Sequence, residues 1–309
     1  MGQREDERRG PRVLALVGPT ATGKSELAIE LARGGVPVEI VAADAFTVYR
    51  GMDLATAKPP AQVRTAIPHH LIDVLDPWHD ATVAWFQESA RAAIRDVLAR
   101  GRVPLLVGGS GLYFRAVVDD LHFPPTDPDL RREIETRHRG DPVAAHAALT
   151  AVDPLAAAKI GPGNFRRTVR ALEVIELTGE RFSSFARIWE RYESIYPGLE
   201  VRGLDLPTPR LRDAIAERAE RMVAGGLLRE AAAVRAQLPL SRTASQAIGY
   251  AEAFAVLDGD LAPADLPGAI AERTWRFARR QRSWFRRDPR VWWNTAEEIR
   301  SAWTNPSRG

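Results

Sequence analysis

The sequence predicts an α/β fold in which a parallel β-sheet is flanked by helices and interrupted by an all-helical insertion. Short apolar runs alternate with amphipathic stretches over the first 120 residues and again after residue 200, as in strand–helix units of a parallel sheet. Between about residues 126 and 190, helical patterns follow one another without a convincing strand. We therefore expect a core of residues 1–125 and 191–309, with a helical insertion of residues 126–190.

The first strand–helix unit contains the most informative motif. Residues 13–17 predict a buried strand, residues 26–32 predict a helix, and residues 18–25 between them read GPTATGKS. This sequence matches the phosphate-binding P-loop completely, so the fold class is P-loop NTPase-like. The expected phosphate-binding residues are Gly18, Pro19, Thr20, Ala21, Thr22, Gly23, Lys24 and Ser25. The motif predicts a phosphorylated ligand, but it leaves kinase, hydrolase and transferase open.

Two side chains of the P-loop have distinct expected roles. Lys24 can reach terminal phosphates, and the Ser25 hydroxyl suits Mg²⁺. Only three of the 43 basic residues are lysine, namely Lys24, Lys58 and Lys159. A chain that uses arginine so heavily is expected to keep lysine where a planar guanidinium cannot replace it. Lys58, in the turn 56–59, is therefore of interest, although chance could also have placed it there.

The next two predicted strands, residues 38–42 and 103–107, are separated by a helix predicted over residues 85–99. Asp44 follows the first strand, and Ser110 follows the second. Ligands of parallel sheets lie beyond the carboxyl ends of the strands, so Asp44, Ser110 and the P-loop should converge on one crevice. Three roles suit Asp44: it binds Mg²⁺ through water, acts as a general base, or caps a turn without chemistry.

The insertion is predicted as four short helices, over residues 127–139, 142–150, 153–160 and 164–178. Asn164 is a credible N-cap of the last of these helices. Arg166, Arg167 and Arg170 then lie early in the helix, where positive charge opposes the helix dipole. This local conflict indicates an anionic ligand, although exposed charges at such positions are common.

After residue 200 the chain is predicted to return to the sheet. Strands are predicted over residues 201–206 and 291–293, and helices over residues 209–224, 227–237, 245–257 and 266–287. Residues 273–290 contain eight arginines and four aromatic residues. Such a segment is typical of nucleic-acid contact, whereas its near-helical aromatic spacing also favours inward packing.

The composition excludes several classes of protein. The chain has no cysteine, which rules out disulfides, thiol catalysis and cysteine-ligated zinc. No apolar run approaches the roughly 20 residues that span a bilayer, so no membrane association is expected. Residues 1–10 are polar and charged, and we expect a short disordered lead there rather than a signal peptide. These features fit a cytoplasmic protein.

The ordered motifs resemble those of bacterial tRNA dimethylallyltransferases, also called tRNA isopentenyltransferases. The resemblance runs from about residue 13 to residue 294, and each motif alone is weak. Besides the P-loop, the matching pieces are Asp44, YRGMD at 49–53, TAKP at 56–59, PHHLID at 68–73, LVGGSGLY at 106–113, RALEV at 170–174, TG at 178–179, IGY at 248–250, RQ at 280–281 and WFR at 284–286. Their shared order and spacing are highly specific.

The resemblance implies transfer of a dimethylallyl group from dimethylallyl diphosphate to the N6 amine of the adenosine 3′ to the tRNA anticodon. It implies four catalytic residues, Asp44 as general base with Lys24, Ser110 and Arg218 at the diphosphate, and Mg²⁺ held at Ser25. A monomer that binds the anticodon stem-loop is expected. The residues implied to contact tRNA are Asp44, Ala45, Phe46, Thr47, Arg166, Arg167, Arg170, Ile248, Gly249, Tyr250, Arg279, Arg280, Gln281, Trp284 and Arg286.

The chain departs from the family pattern at several positions. Ser110 stands where threonine is usual, which keeps a hydroxyl. The other departures are Ala45, Phe46, Ala55, Gly161 to Gly163, and Ala214. None of them removes a group that the chemistry requires. His69 and His70 match a family motif, and we expect structural roles for both.

Three other functions remain open at this point. A P-loop kinase for a small acceptor would use Asp44 as base but would not need the arginine-rich helices. Prenylation of a free adenine nucleotide would leave the insertion without a purpose. A non-catalytic RNA-binding module with a regulatory nucleotide site would differ from the enzyme in showing no turnover.

Overall fold

The computed structural model describes residues 11–138, 141–186, 191–237 and 239–304. The expected disordered lead, residues 1–10, and the last residue of the helix predicted over 127–139 lie outside the described residues. The chain divides into two compact units, Met1–Asp119 with Ser194–Gly309, and Asp120–Glu193. These boundaries lie a few residues outside the predicted limits of the insertion.

The larger unit is built on one six-stranded sheet with the order β3-β2-β4-β1-β5-β6. The strands are β1 (Arg12–Val17), β2 (Val38–Ala42), β3 (His69–His70), β4 (Val103–Gly108), β5 (Gly198–Leu204) and β6 (Val291–Asn294). Every neighbouring pair is parallel, with Leu14 of the central β1 opposite Leu105 on β4 and Glu200 on β5. The predicted parallel α/β sheet is confirmed.

Helices connect the strands and form the smaller unit. They are α1 (Lys24–Arg33), α2 (Ala61–Ala66), α3 (Val83–Ala99), α4 (Gly111–Val118), α5 (Pro128–Arg137), α6 (Pro142–Val152), α7 (Pro154–Ile160), α8 (Phe165–Thr178), α9 (Phe182–Ala186), α10 (Thr208–Ala224), α11 (Leu227–Arg235), α12 (Arg242–Ser245), α13 (Tyr250–Asp258), α14 (Leu266–Phe285) and α15 (Ala296–Thr304). Within the described ranges, no helix has the length and apolar character needed to cross a membrane.

Alternate residues of β1 pack into different layers of the core. Val13 and Val17 belong to the hydrophobic cluster that includes Phe86 of α3, whereas Leu14 and Leu16 belong to the cluster on the other face. Side chains of successive strand residues point to opposite faces, so a strand covered on both sides needs an unbroken apolar run. This requirement explains the apolar runs that predict β1 and β4.

The smaller unit, taken by itself, consists of α5 to α9. Three of its helices begin with the same device, an aspartate that accepts a backbone N–H, followed by proline; the aspartates are Asp127, Asp141 and Asp153. Its core contains Ile134 and Leu149, which pack with Val169, Ala171 and Leu172 of α8. The helical nature predicted for this segment is therefore seen in its described part.

The structure also contains elements that the sequence patterns did not indicate. The two-residue β3 pairs beside β2 at the edge of the sheet, and it is too short to show a period. The helix predicted over 245–257 corresponds to α13 and begins later, at Tyr250, after Gly249 with φ +92°; the short α12 precedes it and ends at Ser245. The strand predicted over 201–206 begins earlier, at Gly198, and ends at Leu204.

Candidate active site

The carboxyl ends of β1, β2 and β4 face a cavity of about 550 Å³. The phosphate loop, residues 18–25, leads from β1 into α1, and Asp44 follows β2. The cavity is lined by Thr20, Thr22, Lys24, Ser25, Asp44, Thr47, Leu54, Thr56, His69, Ile72, Arg218, Arg221, Met222 and Gln281, and by further residues of β2, β4 and α10. The structure thus brings the loop and Asp44 together, as the strand topology predicted.

A smaller cavity of about 60 Å³ shares part of this lining. Thr20, Asp44, Thr56, Arg218 and Met222 belong to both cavities. The rest of the smaller one is mainly apolar, and its side chains include Phe46, Ile215, Ile248, Ile270 and Phe277. Asp44 and Arg218 therefore stand between a polar compartment at the phosphate loop and an apolar one.

Glycines set the course of the phosphate loop. Gly18 has φ +138°, and a Cβ on it would lie 2.1 Å from the carbonyl oxygen of Leu204 on β5. Gly23 adopts φ +88° at the N-cap of α1. Ala21 also has a positive φ, +62°, an uncommon conformation for a residue with a side chain. The loop therefore curves back over the end of the sheet, with the N-terminus of α1 directed at it, which is the arrangement that binds anions.

Lys24 is the buried cation of this loop. Its side chain lies at the start of α1, and the residue is only 8% exposed. The Nζ donates to the carbonyl oxygen of Pro19 and, at 3.3 Å, to Oγ1 of Thr22. Burial, reinforced by the charge of Arg218, lowers the pKa of Lys24 to about 7. An anion in the cavity would reverse this effect by favouring the charged form.

Asp44 is held by the turn that follows it. Its Oδ1 accepts the backbone N–H of Phe46 at 2.8 Å and that of Thr47 at 3.4 Å. No hydrogen bond to Oδ2 is found among the described residues. The turn fixes the direction of the carboxylate, so the capping role and a catalytic role are compatible.

Two polar atoms at the cavity are buried without a hydrogen-bond partner in the described part of the chain, Nε of Arg218 and Oγ1 of Thr47. Arg218, on α10, donates through Nη1 to Thr20 Oγ1 at 3.1 Å, which ties it to the phosphate loop. Buried polar groups are rarely left unpaired, so such atoms in a cavity indicate a polar ligand. Burial also lowers the pKa of Arg218 from its usual value.

The IPP transferase family model matches residues 47–288, which is most of this chain. The tRNA dimethylallyltransferase of Salinispora tropica is 49% identical over 283 residues, which cover 91% of this chain and 87% of that protein. The chain belongs to the IPP transferase family.

Solved structures agree with the membership of this chain in the IPP transferase family. The full-length tRNA isopentenylpyrophosphate transferase of Bacillus halodurans is 36% identical, with a TM-score of 0.69 over 95% of this chain and 94% of that one. A eukaryotic dimethylallyltransferase acting on tRNA has a TM-score of 0.78 at 25% identity, over 96% of this chain and 77% of that one. The fold and the family assignment are therefore consistent.

Some residues that the resemblance implies for tRNA contact are on the surface of α14 and at its C-cap. Arg279, Arg280 and Arg286 are exposed, and Trp284 is 37% exposed. The indole of Trp284 lies over Gly111, where an added Cβ would come within 1.9 Å of it. Only a glycine at 111 leaves room for this indole.

Two other residues from the same set lie in the interior instead. Tyr250 is fully buried, and its hydroxyl donates to Glu230. Gln281 is 4% exposed, and its Oε1 accepts the N–H of Thr20 at 2.8 Å. Tyr250 lines neither cavity, whereas Gln281 lines the main cavity beside the phosphate loop. Gln281 thus holds the phosphate loop, a contact that the sequence does not indicate, and its contact with tRNA stays a prediction.

In the helical unit, the three arginines of α8 differ in their surroundings. Arg166 and Arg167 are exposed. Arg170 donates to the carbonyl oxygens of Pro125 and Pro124 at 2.9 and 2.8 Å and pairs with the buried Glu173. The guanidinium of Arg170 is thus already engaged within its own unit, which indicates a structural role.

Ser110 lines neither cavity. It is the N-cap of α4, and its hydroxyl accepts the N–H of Tyr113 at 3.5 Å. The neighbouring Gly109 lines the main cavity, where an added Cβ would lie 3.0 Å from the carbonyl oxygen of Gly18 in the phosphate loop. The structure thus gives Ser110 a capping position next to the loop, and its contact with the diphosphate stays a prediction.

Three departures from the family pattern lie at the cavities. Ala214 lines the main cavity, and Phe46 and Ala55 line the smaller one. A Cβ on Gly249 would lie 2.5 Å from Cβ of Ala55, so these two positions depend on each other. His70 bonds Glu39 at 2.8 Å, and His69, which lines the main cavity, bonds the carbonyl oxygen of Ile67 at 2.6 Å.

Proposed function

We infer that this protein transfers a dimethylallyl group from dimethylallyl diphosphate to the N6 amine of the adenosine 3′-adjacent to the anticodon, in tRNAs that read codons beginning with U. The product is N6-isopentenyladenosine, and diphosphate is released. One observation carries this conclusion. In a member of the IPP transferase family, a phosphate loop and a carboxylate fixed by its own turn face the same cavity.

The geometry suits a substitution at the first carbon of the donor. The bond from that carbon to the diphosphate oxygen breaks, the bond to N6 forms, and the amine proton passes to Asp44. Negative charge grows on the departing diphosphate, and the N–H groups of the loop, Lys24 and Arg218 are placed to stabilise it. Asp44 shares both cavities with Arg218, so acceptor and donor groups can meet at their junction.

We propose that Mg²⁺ accompanies the diphosphate at Ser25. Ser25 is exposed in the main cavity, where its hydroxyl can serve as a ligand. The described residues hold no cluster of three acidic or histidine side chains that could bind a metal alone. Mg²⁺ commonly takes one or two protein oxygens and completes its shell with phosphate and water, so this site fits. The ion would neutralise charge on the leaving diphosphate.

We propose that tRNA is held through phosphates by the exposed arginines, chiefly Arg166, Arg167, Arg279, Arg280 and Arg286. Each of them is an always-charged fork that suits phosphate oxygens. We also propose that the protein is a monomer and that it is located in the cytoplasm.

The reaction is tested by incubating the purified protein with Mg²⁺, dimethylallyl diphosphate and unmodified tRNA, followed by mass spectrometry of the digested nucleosides. The expected result is an adenosine heavier by one isopentenyl group. A gain on free AMP but not on tRNA would indicate the nucleotide prenyltransferase instead. Phosphate transfer from ATP would indicate a kinase, and tRNA binding without any product would indicate a binding module.

A further inference from the structure

A short loop forms a wall common to both cavities. Leu54, Thr56 and Ala57 line the main cavity, and Ala55 and Thr56 line the smaller one. The wall, residues 54–57, thus bounds the compartment at the phosphate loop as well as the apolar one. Any shift of its backbone changes the shape of both.

Lys58 follows the wall directly and is almost completely buried, with a side chain that is 1% exposed. Its Nζ lies 2.5 to 2.7 Å from three oxygens, the carbonyl of Tyr49, Oδ1 of Asp53 and Oδ1 of Asp73. An ammonium group has three donors, so every N–H of Lys58 has an acceptor here. The side chain of Lys58 therefore joins three places in the chain, which are Tyr49 and Asp53 before the wall and Asp73 after it.

Residues on both sides of this contact have an unusual backbone conformation with positive φ. Asp73 has φ +56°, Leu71 has φ +64°, and Ala57 in the wall has φ +50°. Non-glycine residues in this region cost free energy and persist only where the surroundings fix them. Arg64 binds the second oxygen of Asp73 at 2.5 Å, which completes the cluster. Burial alone would raise the pKa of Asp73, but the charges of Lys58 and Arg64 lower it.

Glu230 binds the backbone at the start of the wall. Oε1 of Glu230, on α11, accepts the backbone N–H of Leu54 at 3.0 Å and that of Asp53 at 3.2 Å. The same oxygen accepts the hydroxyl of the buried Tyr250. The wall is thus fixed at its start by Glu230 and at its end by Lys58.

We propose that Lys58 is a positioning residue for the prenyl-transfer reaction, acting by holding the wall 54–57 against both cavities. It lines neither cavity itself, so its effect passes through the wall. The inference rests on the proposed function. It also accounts for the retention of lysine, because a planar guanidinium cannot place three donors on oxygens that converge on one point.

The test compares Lys58→Met and Lys58→Arg with Arg50→Met. Arg50 is the matched control. It lies close to Lys58 in the sequence and also pairs with an aspartate, Asp76, at 2.9 Å, but its side chain is 52% exposed. The measurement is the single-turnover rate constant of transfer to tRNA at saturating donor, below the unfolding temperature of each variant. The same assay is repeated with geranyl diphosphate, a longer donor.

Both Lys58 variants are expected to lose on the order of 10²-fold in the rate constant, because small misplacements of reacting groups have costs of this size. Their preference for the short donor should also fall. Arg50→Met should stay within about twofold of the wild type, as exposed ion pairs contribute little. A merely structural role would reduce the amplitude through loss of folded protein, and it would leave the rate constant and the donor preference unchanged.

Rate constants and donor preference equal to the wild type in the folded Lys58 variants would overturn the proposal. If neither variant folds, Asp53→Ala decides, because it removes one half-exposed acceptor of Lys58 and leaves the others. A slower rate constant in Asp53→Ala supports the proposal, and an unchanged one contradicts it. A wild type without any transfer would refute the proposed function, and this proposal with it.

Discussion

At the scale of the residue, Lys24 is the group whose charge should respond most directly to the donor. Its pKa of about 7 results from burial beside Arg218. A bound diphosphate favours the ammonium and raises the pKa, so donor binding above this pKa must take up a proton. Below it, Lys24 is already charged and no uptake is expected. Donor affinity should therefore fall as the pH rises above about 7.

Titration calorimetry checks this prediction. At about pH 8 a diphosphate monoester should bind with uptake of nearly one proton, seen as a dependence of the heat on the ionisation enthalpy of the buffer. Lys24→Met is the control, because it cannot take up the proton. A wild-type heat that is independent of the buffer would show that Lys24 is charged before the donor binds.

Asp44 shows what the sequence could and could not resolve for a single residue. Its place after a strand predicted the crevice, and the structure puts it there. The capping and catalytic roles looked like alternatives in the sequence, yet one oxygen caps the turn while the carboxylate lines both cavities. Sequence position alone cannot divide the two oxygens of one side chain between two roles.

At the scale of the element, α14 presents two different faces. Gln281 reaches the phosphate loop, whereas Arg279 is exposed on the other side of the helix. Gln281→Leu leaves the N–H of Thr20 without its acceptor, which typically costs about 1–3 kcal/mol. We expect donor affinity to fall roughly tenfold in this variant, with little change in tRNA affinity. Titration with a diphosphate monoester and with tRNA measures both.

Arg279→Ala is the matched control on the same helix, and the opposite pattern is expected. Donor affinity should be unchanged, and tRNA affinity should be lower. If Gln281→Leu instead kept full donor affinity and lost tRNA affinity, Gln281 would contact tRNA as the family resemblance implied. The hypothesis that Gln281 supports donor binding by holding the phosphate loop would then be wrong.

The strands that the sequence predicted are those with a continuous apolar run. Strands β1, β2 and β4 are buried on both faces and are therefore mainly apolar, with the buried Glu39 of β2 paired with His70 and Arg100. The edge strand β3 has two residues, and its pairing beside β2 is decided by tertiary contacts. The position of the wall 54–57 could not be predicted either, because it depends on contacts with residues distant in the sequence, Glu230 on the backbone of Leu54 and Asp73 on Lys58.

At the scale of the whole molecule, positive charge lies on exposed arginines in both units, including Arg166 and Arg279. Contacts to phosphates release counterions, so tRNA affinity should fall steeply as salt increases. Arg166→Ala and Arg279→Ala should each reduce the slope of log affinity against log salt by about 1. Arg300→Ala is the control, because Arg300 pairs with Glu30 and belongs to no predicted tRNA surface. An unchanged slope in the first two variants would remove these arginines from the interface.

The central claim is that Asp44 and the phosphate loop divide the reaction between acceptor and donor. The most direct measurement is the single-turnover rate of dimethylallyl transfer to tRNA by Asp44→Asn, with Asp44→Ala beside it and donor affinity measured for both. Asparagine keeps an oxygen for the N–H of Phe46 and removes the base. We expect a loss on the order of 10²–10⁴-fold in both variants, with donor affinity unchanged. A wild-type rate in Asp44→Asn would contradict the assignment of Asp44 as the base.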